Sequence, residues 1–135
     1  MKIVRYEISI RAPIDDVYRH LTEAEGLVRW MAVEASADAR PGGTLRWTHE
    51  NGATMSGRFV ELDPPRRLVF TYGWDDGRLD VPAGSTLVEI DLESTDEGTT
   101  LRLVHRKLPD ETADAHLNGW TYFLTILDEV VSQRG

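Results

Sequence analysis

The sequence contains no cysteine and no long apolar run. Without cysteine there are no disulfides and no zinc sites built on thiolates, so packing must stabilise the fold. No stretch is apolar for long enough to cross a bilayer. Residues 1–7 alternate and soon become charged, unlike a secretory signal. These absences predict a chain with no membrane partner and a cytoplasmic location.

Positive charge is also scarce. The chain has 15 Lys and Arg residues against 23 Asp and Glu residues, a formal net charge of -8. Such a surface repels phosphate backbones, and no cluster of Lys and Arg forms a basic stripe. Nucleic acid is therefore not a predicted partner.

What the sequence does have is the composition of a globular protein. Of the 135 residues, 41% are hydrophobic and 28% are charged. This length is enough to bury one substantial core but too short for two domains of ordinary size. We predict a single domain over residues 1–135.

The N-terminal part predicts one strand and two short helices. Residues 2–11 alternate in a β-rich pattern, which is typical of a strand with one buried face. Pro13 suits the first turn of a helix, and apolar residues then recur at steps of three and four. Thr22 and Glu25 have the spacing of a capping box. This predicts a second short helix that carries Leu27, Val28, Trp30 and Met31.

Residues 33–105 alternate between β-prone runs and turn sequences such as Pro41-Gly42-Gly43. Short loops favour antiparallel pairing of sequential strands, so we predict a meander. The longest irregular stretch, residues 75–84, is interpreted as either a lid or plain surface. The predicted strands are 44–49, 54–62, 67–74, 85–94 and 99–106.

The C-terminal part predicts one long helix. Apolar residues fall on one broad helical face between about residues 111 and 133, a length of roughly 33 Å. A bent antiparallel sheet must bury its concave face, and this helix is the only element long enough to cover it. We therefore predict an α+β fold in which a curved antiparallel sheet wraps the C-terminal helix.

Aromatic residues and histidines gather at one end of the predicted core. Alternation places His105 on the inner face of its strand, and four- and seven-residue spacings aim His116, Trp120 and Phe123 at one region. Large rings with a few polar groups are typical of a site for a mostly apolar ligand. The predicted ligand-binding residues are Trp30, Trp47, Tyr72, Trp74, His105, His116, Trp120 and Phe123.

Each of these residues also has a simpler interpretation. The aromatic side chains could be ordinary core, and His105 could be a structural histidine with satisfied hydrogen bonds. His116 lies near the acidic start of a helix, which favours a partly solvated position. The spacing of Asp75, Asp76 and Asp80 differs from that of a calcium loop and favours a solvated segment. We predict no metal, no cofactor and no catalytic residue.

The hairpin at residues 51–52 leaves one register open. A two-residue turn pairs Trp47 with Ser56, whereas a three-residue loop pairs it with Met55. We favour a common face for Leu45, Trp47 and His49. The same choice decides the facing of Met55, Arg58 and Phe59.

Several motifs occur in an order that resembles the AHSA-like family. They are Ile10-Arg11-Ala12-Pro13, Val17-Tyr18, Leu27 to Trp30, Pro41-Gly42-Gly43, residues 61–70, His105, His116 and Gly119-Trp120. These proteins are relatives of the C-terminal domain of the activator of the heat-shock chaperone ATPase, within the START-related SRPBCC superfamily. The resemblance covers nearly the whole chain. It implies a helix-grip fold with a cavity between the sheet and the C-terminal helix.

The resemblance carries over no catalytic residue, because the superfamily includes lipid carriers, antibiotic-sequestering proteins, polyketide cyclases and chaperone activators. Our leading hypothesis is a binding protein that sequesters a small hydrophobic, aromatic or polycyclic ligand. One alternative is a cyclase- or hydrolase-like enzyme in which His105 and His116 transfer protons. Another is an interaction module that contacts a chaperone through its acidic surface. A homodimer is also left open.

Overall fold

The computed structural model describes residues 1–132. The strands are β1 (Lys2–Ile10), β2 (Glu34–Ala37), β3 (Thr44–Thr48), β4 (Thr54–Asp63), β5 (Arg67–Tyr72), β6 (Thr86–Thr95) and β7 (Gly98–Leu108). The helices are α1 (Ile14–Thr22), α2 (Ala24–Leu27) and α3 (Ala113–Ser132). Two short 3-10 segments, Arg78–Asp80 and Asp110–Thr112, complete these elements.

All seven strands pair antiparallel in one curved sheet with the order β1-β7-β6-β5-β4-β3-β2. Strands β2 to β7 are neighbours in chain order, because consecutive strands tend to pair with each other. Strand β1 closes the sheet by pairing with β7. The predicted meander and the predicted helix-grip fold are both confirmed.

Helix α3 covers the concave face of the sheet. Its 20 residues span about 30 Å and bury Trp120, Leu124, Leu127 and Val131. The helix begins two residues later than predicted because Asp110–Thr112 form a 3-10 turn. The predicted end at Gln133 lies outside the described residues. Within residues 1–132, no helix combines the length and apolar character needed to cross a membrane.

The strands bury the alternating residues that the sequence predicts for the inner face of the sheet. On β7, Leu101 and Leu103 are buried, and His105 on the same face is 0% exposed. The neighbouring strand β6 buries Val88 and Ile90. Alternation along paired strands therefore brings an imidazole into the core beside aliphatic side chains.

The predicted capping box is wrong. Thr22 is the last residue of α1, and its hydroxyl donates to the carbonyl oxygen of Tyr18 at 2.9 Å instead of capping the next helix. Helix α2 contains only four residues, so Trp30 and Met31 follow it rather than belong to it. The indole N–H of Trp30 donates to the carbonyl oxygen of His20 at 2.9 Å, which anchors this turn to α1.

Strand β2 was not expected, because Glu-Ala-Ser-Ala has little β propensity. It forms at the sheet edge by pairing with β3. Strand β5 ends at Tyr72, two residues before the predicted end. Trp74 keeps only isolated bridges to Met55 and Pro82.

The hairpin between β3 and β4 pairs Trp47 with Met55 and Thr48 with Thr54. This is the longer of the two alternatives. Met55 and Phe59 are consequently buried at 0% and 1% exposure, whereas Arg58 is exposed. The inner face of β3 carries Leu45 and Trp47, and His49 beyond them is half-buried.

Candidate functional site

One end of the helix grip contains a cleft of about 620 Å³ that is partly open to solvent. Four parts of the chain form its walls: residues 28–33 after α2, the hairpin at 47–53, residues 72–79, and residues 115–126 of α3. Seven of the eight predicted ligand-binding residues line it. They are Trp30, Trp47, Tyr72, Trp74, His116, Trp120 and Phe123.

The eighth predicted residue, His105, lies behind the wall rather than in it. Its ring centroid is 4.6 Å from that of Tyr72 and 6.1 Å from that of Trp120, and both of these residues line the cleft. His105 is completely buried. It therefore supports the residues that a ligand would touch.

Tyr72 lies at the centre of the aromatic wall. Its ring centroid is 5.6 Å from Trp74, 5.8 Å from Trp120 and 5.9 Å from His116. The pairs with Trp74 and His116 meet edge to face, the arrangement that aromatic quadrupoles favour. Each ring therefore limits the orientations open to its neighbours.

Three tryptophans at the cleft donate their indole N–H to a histidine nitrogen. Trp47 donates to Nε2 of His49 at 3.1 Å. Trp74 donates to Nε2 of His116 at 3.4 Å. The third pair is Trp120 with Nδ1 of His105, at 3.0 Å. Because an indole N–H can only donate, each of these histidine nitrogens must be unprotonated.

The remaining nitrogen of His105 fixes its tautomer. Its Nε2 lies 2.8 Å from the hydroxyl of Thr86, and that hydroxyl donates its own hydrogen to the carbonyl oxygen of Tyr72 at 2.8 Å. The hydroxyl must therefore accept from Nε2–H. His105 is a neutral imidazole with both nitrogens in hydrogen bonds, which matches the structural role considered for it.

The expectation of a partly solvated His116 is wrong. Its side chain is only 5% exposed, because α3 turns it toward Tyr72 and His105 rather than toward the acidic residues beside it. Its Nδ1–H donates to the carbonyl oxygen of Thr112 at 2.9 Å. With Trp74 donating to Nε2, this ring is also neutral and fully engaged.

The surroundings hold all three histidines in the neutral form. Burial, with a smaller effect from nearby His116, lowers the pKa of His105 to about 3. Burial also lowers the pKa of His116, against a weaker opposing effect of its bond to Thr112. For His49, burial and the charge of Arg78 lower the pKa, and a backbone hydrogen bond at Met31 opposes them. The aromatic wall is therefore uncharged at neutral pH.

The mouth of the cleft has an apolar rim formed by Val28, Val33, Leu79 and Tyr122, which are 43%, 56%, 44% and 64% exposed. These four are more than half of the seven exposed large hydrophobic residues within residues 1–132. Apolar side chains that gather around a cavity mark a binding surface, whereas scattered ones do not.

Charged side chains at the cleft are confined to its edge and are exposed or partly exposed. Arg29 donates to Nε2 of His20 at 2.7 Å, and Arg78 pairs with Asp76 at 2.7 Å. The Arg78 guanidinium also lies 5.9 Å from the ring centroid of Trp74. Within residues 1–132, Glu50 is the acidic residue of the lining.

The loop at residues 75–84 contributes Arg78 and Leu79 to the cleft. Backbone hydrogen bonds tie it to β4, from Asp75 to Thr54 at 3.0 Å and from Gly84 to Ser56 at 3.1 Å. Leu79 has φ 58°, a left-handed conformation that is unfavourable for a residue with a branched side chain. The loop therefore holds an apolar side chain at the mouth at some conformational cost.

Sequence reasoning missed several residues of the site. The sequence favours a common face for His49, Leu45 and Trp47 but indicates no functional role for His49. Its ring nevertheless lies 5.6 Å from that of Trp74 and 5.0 Å from that of Phe123, centroid to centroid. The rim residues carry no local signal, because an exposed valine or leucine is ordinary in any loop. Only their convergence in space distinguishes them.

A curved antiparallel sheet that wraps a long C-terminal helix, with short helices after the first strand, defines a protein of the helix-grip fold. The family model "Activator of Hsp90 ATPase homolog 1-like protein" matches residues 11–132. The chain therefore belongs to this family, as the resemblance indicated. No curated protein matches the sequence.

Solved structures share the fold at low sequence identity. Protein MLL2253 from Mesorhizobium loti superposes with a TM-score of 0.86 at 18% identity, covering 99% of each chain. Protein CV1439 from Chromobacterium violaceum gives 0.83 at 26% identity, over 98% of this chain and 99% of the other. The Aha1 dimer from Colwellia psychrerythraea gives 0.80 at 23% identity, over 98% and 97%. These similarities establish the fold, not a ligand.

Proposed function

We propose that this protein binds and sequesters a small hydrophobic molecule with an aromatic or polycyclic body. The observation that carries the proposal is the cleft of about 620 Å³, lined by aromatic rings and surrounded by an apolar rim. This volume falls in the range of sites for small organic ligands. Flat rings with most of their polar groups already paired favour an apolar, planar ligand over a sugar or a phosphate.

A proton-transfer enzyme is the less well supported alternative. His105 and His116 each use both ring nitrogens within the protein, so neither offers a free lone pair to a substrate. Low pKa values also make both rings weak bases. A general base in this cleft would first have to break a hydrogen bond to a tryptophan.

Naphthalene is a suitable first probe, because it is flat, apolar and lacks hydrogen-bonding groups. In ¹H–¹⁵N NMR spectra of the whole chain, we expect it to shift the indole N–H signals of Trp74 and Trp120. The variant Phe123→Ala removes one aromatic ring from the lining of the cleft and is expected to weaken naphthalene binding about three- to tenfold.

Tyr6→Ala is the matched control for Phe123→Ala, because Tyr6 is also a half-buried aromatic residue but lies on β1 outside the cleft. It should leave the affinity unchanged. If naphthalene shifts none of the four indole signals up to its solubility limit, the proposed function is wrong.

The apolar rim also supports a second candidate function, association with another protein chain. One structural neighbour is a dimer, and a homodimer that covers Tyr122 and Val33 would remove apolar surface from water. A chaperone contact is a further proposal, supported by the family description alone. A cytoplasmic location likewise stays a prediction.

Sedimentation equilibrium tests the homodimer. If the rim forms the interface, Tyr122→Ser and Val33→Ser should shift a dimer toward the monomer. Val60→Ser is the control, because Val60 is 51% exposed but lies on β4 away from the cleft. A monomer at every protein concentration would contradict a homodimer without affecting the binding proposal.

A further inference from the structure

The interior of the cleft has almost no hydrogen-bonding capacity left for a ligand. The four indole N–H groups of the described chain all donate within the protein, three to histidines and that of Trp30 to a backbone carbonyl. His105 and His116 have no free nitrogen. Most polar atoms of the aromatic wall are therefore unavailable.

The hydroxyl of Tyr72 is the exception. Within residues 1–132 this hydroxyl makes no hydrogen bond, although only 6% of the residue is exposed. Among the fully enclosed side-chain nitrogen and oxygen atoms of the described chain, only Tyr18 Oη lacks a hydrogen-bond partner. The Tyr72 hydroxyl also lacks a partner but is not in this group, so it is not fully enclosed. Because Tyr72 lines the cleft, its hydroxyl meets the open space there.

An unpaired hydroxyl at a largely buried position is unfavourable unless something else binds it. Burial raises the pKa of Tyr72 well above its ordinary value, so the group stays protonated and can donate. The protein therefore keeps one donor free at the centre of an otherwise satisfied wall.

We propose that Tyr72 is the specificity-determining residue of the cleft and that it donates a hydrogen bond to a neutral oxygen on an aromatic ligand, a ring carbonyl or a phenolic hydroxyl. The inference rests on the proposed binding function and deepens it by naming the ligand class. It distinguishes oxygenated polycyclic compounds from plain hydrocarbons and from fatty acids.

The oxygen is expected to be neutral because, within residues 1–132, the rings that contact Tyr72 carry no charge that could compensate an anion. The rings that surround it, those of Trp74, His105, His116 and Trp120, are uncharged. The cationic groups of the lining, Arg29 and Arg78, are exposed or partly exposed at its edge. A carboxylate buried there would lose its hydration without gaining an ion pair to compensate for that loss.

The test measures the binding of two probes, naphthalene and 2-naphthol, which differ by one hydroxyl. Each probe is titrated into the wild type and into Tyr72→Phe, which lacks only the tyrosine hydroxyl. Dissociation constants come from the NMR titration of the indole signals. We expect the wild type to bind 2-naphthol about tenfold more tightly than naphthalene, as one buried hydrogen bond allows. In Tyr72→Phe the preference for 2-naphthol should disappear, so that the two probes bind with equal affinity.

The outcomes separate this inference from the binding function. If naphthalene binds but 2-naphthol gains nothing, or if the preference survives in Tyr72→Phe, the role of Tyr72 is refuted while the cleft still binds aromatics. If neither probe shifts any indole signal, the proposed function itself fails. The ¹H–¹⁵N spectrum of ligand-free Tyr72→Phe, compared with that of the wild type, establishes that the variant is folded.

Discussion

The free energy of unfolding is expected to fall by about 2 kcal/mol between pH 7 and pH 5 through His105 alone. Burial lowers the pKa of this residue from 6.5 to about 3, so the folded protein does not protonate it in this interval. The unfolded chain does protonate it, below about pH 6.5. Acid therefore stabilises the unfolded state, and the loss continues as the pH falls toward 3.

His116 and His49 act in the same direction, because burial lowers their pKa values as well. The carboxylates with lowered pKa, such as Glu89 between Arg67 and Arg106, add to the loss of stability only below about pH 4.5. Between pH 7 and pH 5 the histidines of the aromatic wall are thus the main source of the acid sensitivity.

Urea unfolding at a series of pH values measures this effect. The variant His105→Asn removes the titrating group. Between pH 7 and pH 5, its free energy of unfolding should therefore fall by about 2 kcal/mol less than that of the wild type. The ring-proton NMR signals of His105 provide a second measurement that does not depend on a variant. A folded-state titration of His105 near pH 6.5 would contradict the expectation.

The substitution Gly73→Ala is expected to destabilise the fold by about 3 kcal/mol and to abolish naphthalene binding. A Cβ atom at residue 73 would lie 1.8 Å from the carbonyl oxygen of Pro82 and 2.8 Å from the Cα of Ala83. Both are backbone atoms, so the loop at residues 75–84 would have to move. That loop carries Arg78 and Leu79 to the cleft.

Gly119→Ala is the matched control, because Gly119 also lines the cleft but a Cβ atom at residue 119 would meet no described atom within 4 Å apart from the adjoining backbone of its own helix. It lies within α3, where alanine is favoured over glycine by up to about 1 kcal/mol. We therefore expect this variant to be more stable than the wild type in urea. A Gly73→Ala variant as stable as Gly119→Ala would disprove the tight contact between residue 73 and the loop.

The order of elements could be predicted from local pattern. Alternation in residues 2–10 and 98–108, and the helical spacing from Trp120 to Val131, reflect the burial of one face, and each is visible in a short window of sequence. The features that the sequence did not predict correctly depend on residues distant in sequence or on where a helix ends. Strand β2 has weak propensity and forms only because β3 offers an edge, and the Thr22 hydroxyl bonds backward because α1 extends to that residue.

The candidate site could be predicted in part. Parity along β7 places His105 inside, and the spacing on α3 groups His116 with Trp120, so the aromatic wall is foreseeable. The burial of His116 was not, because acidic neighbours in sequence suggested solvent while the rotation of α3 faces the ring toward Tyr72. The roles of His49 and of the rim required the positions of four separate segments.

By itself the sequence determined the strand and helix periodicity, the acidic surface and the set of aromatic residues on the inner face, because these follow from spacing and composition. Only the tertiary structure decided which tryptophan meets which histidine, and that the Tyr72 hydroxyl has no hydrogen-bond partner within residues 1–132. Those pairings join residues 74 and 116, or 105 and 120, across different elements. Hydrogen bonds of this kind depend on distances of about 3 Å that only packing fixes.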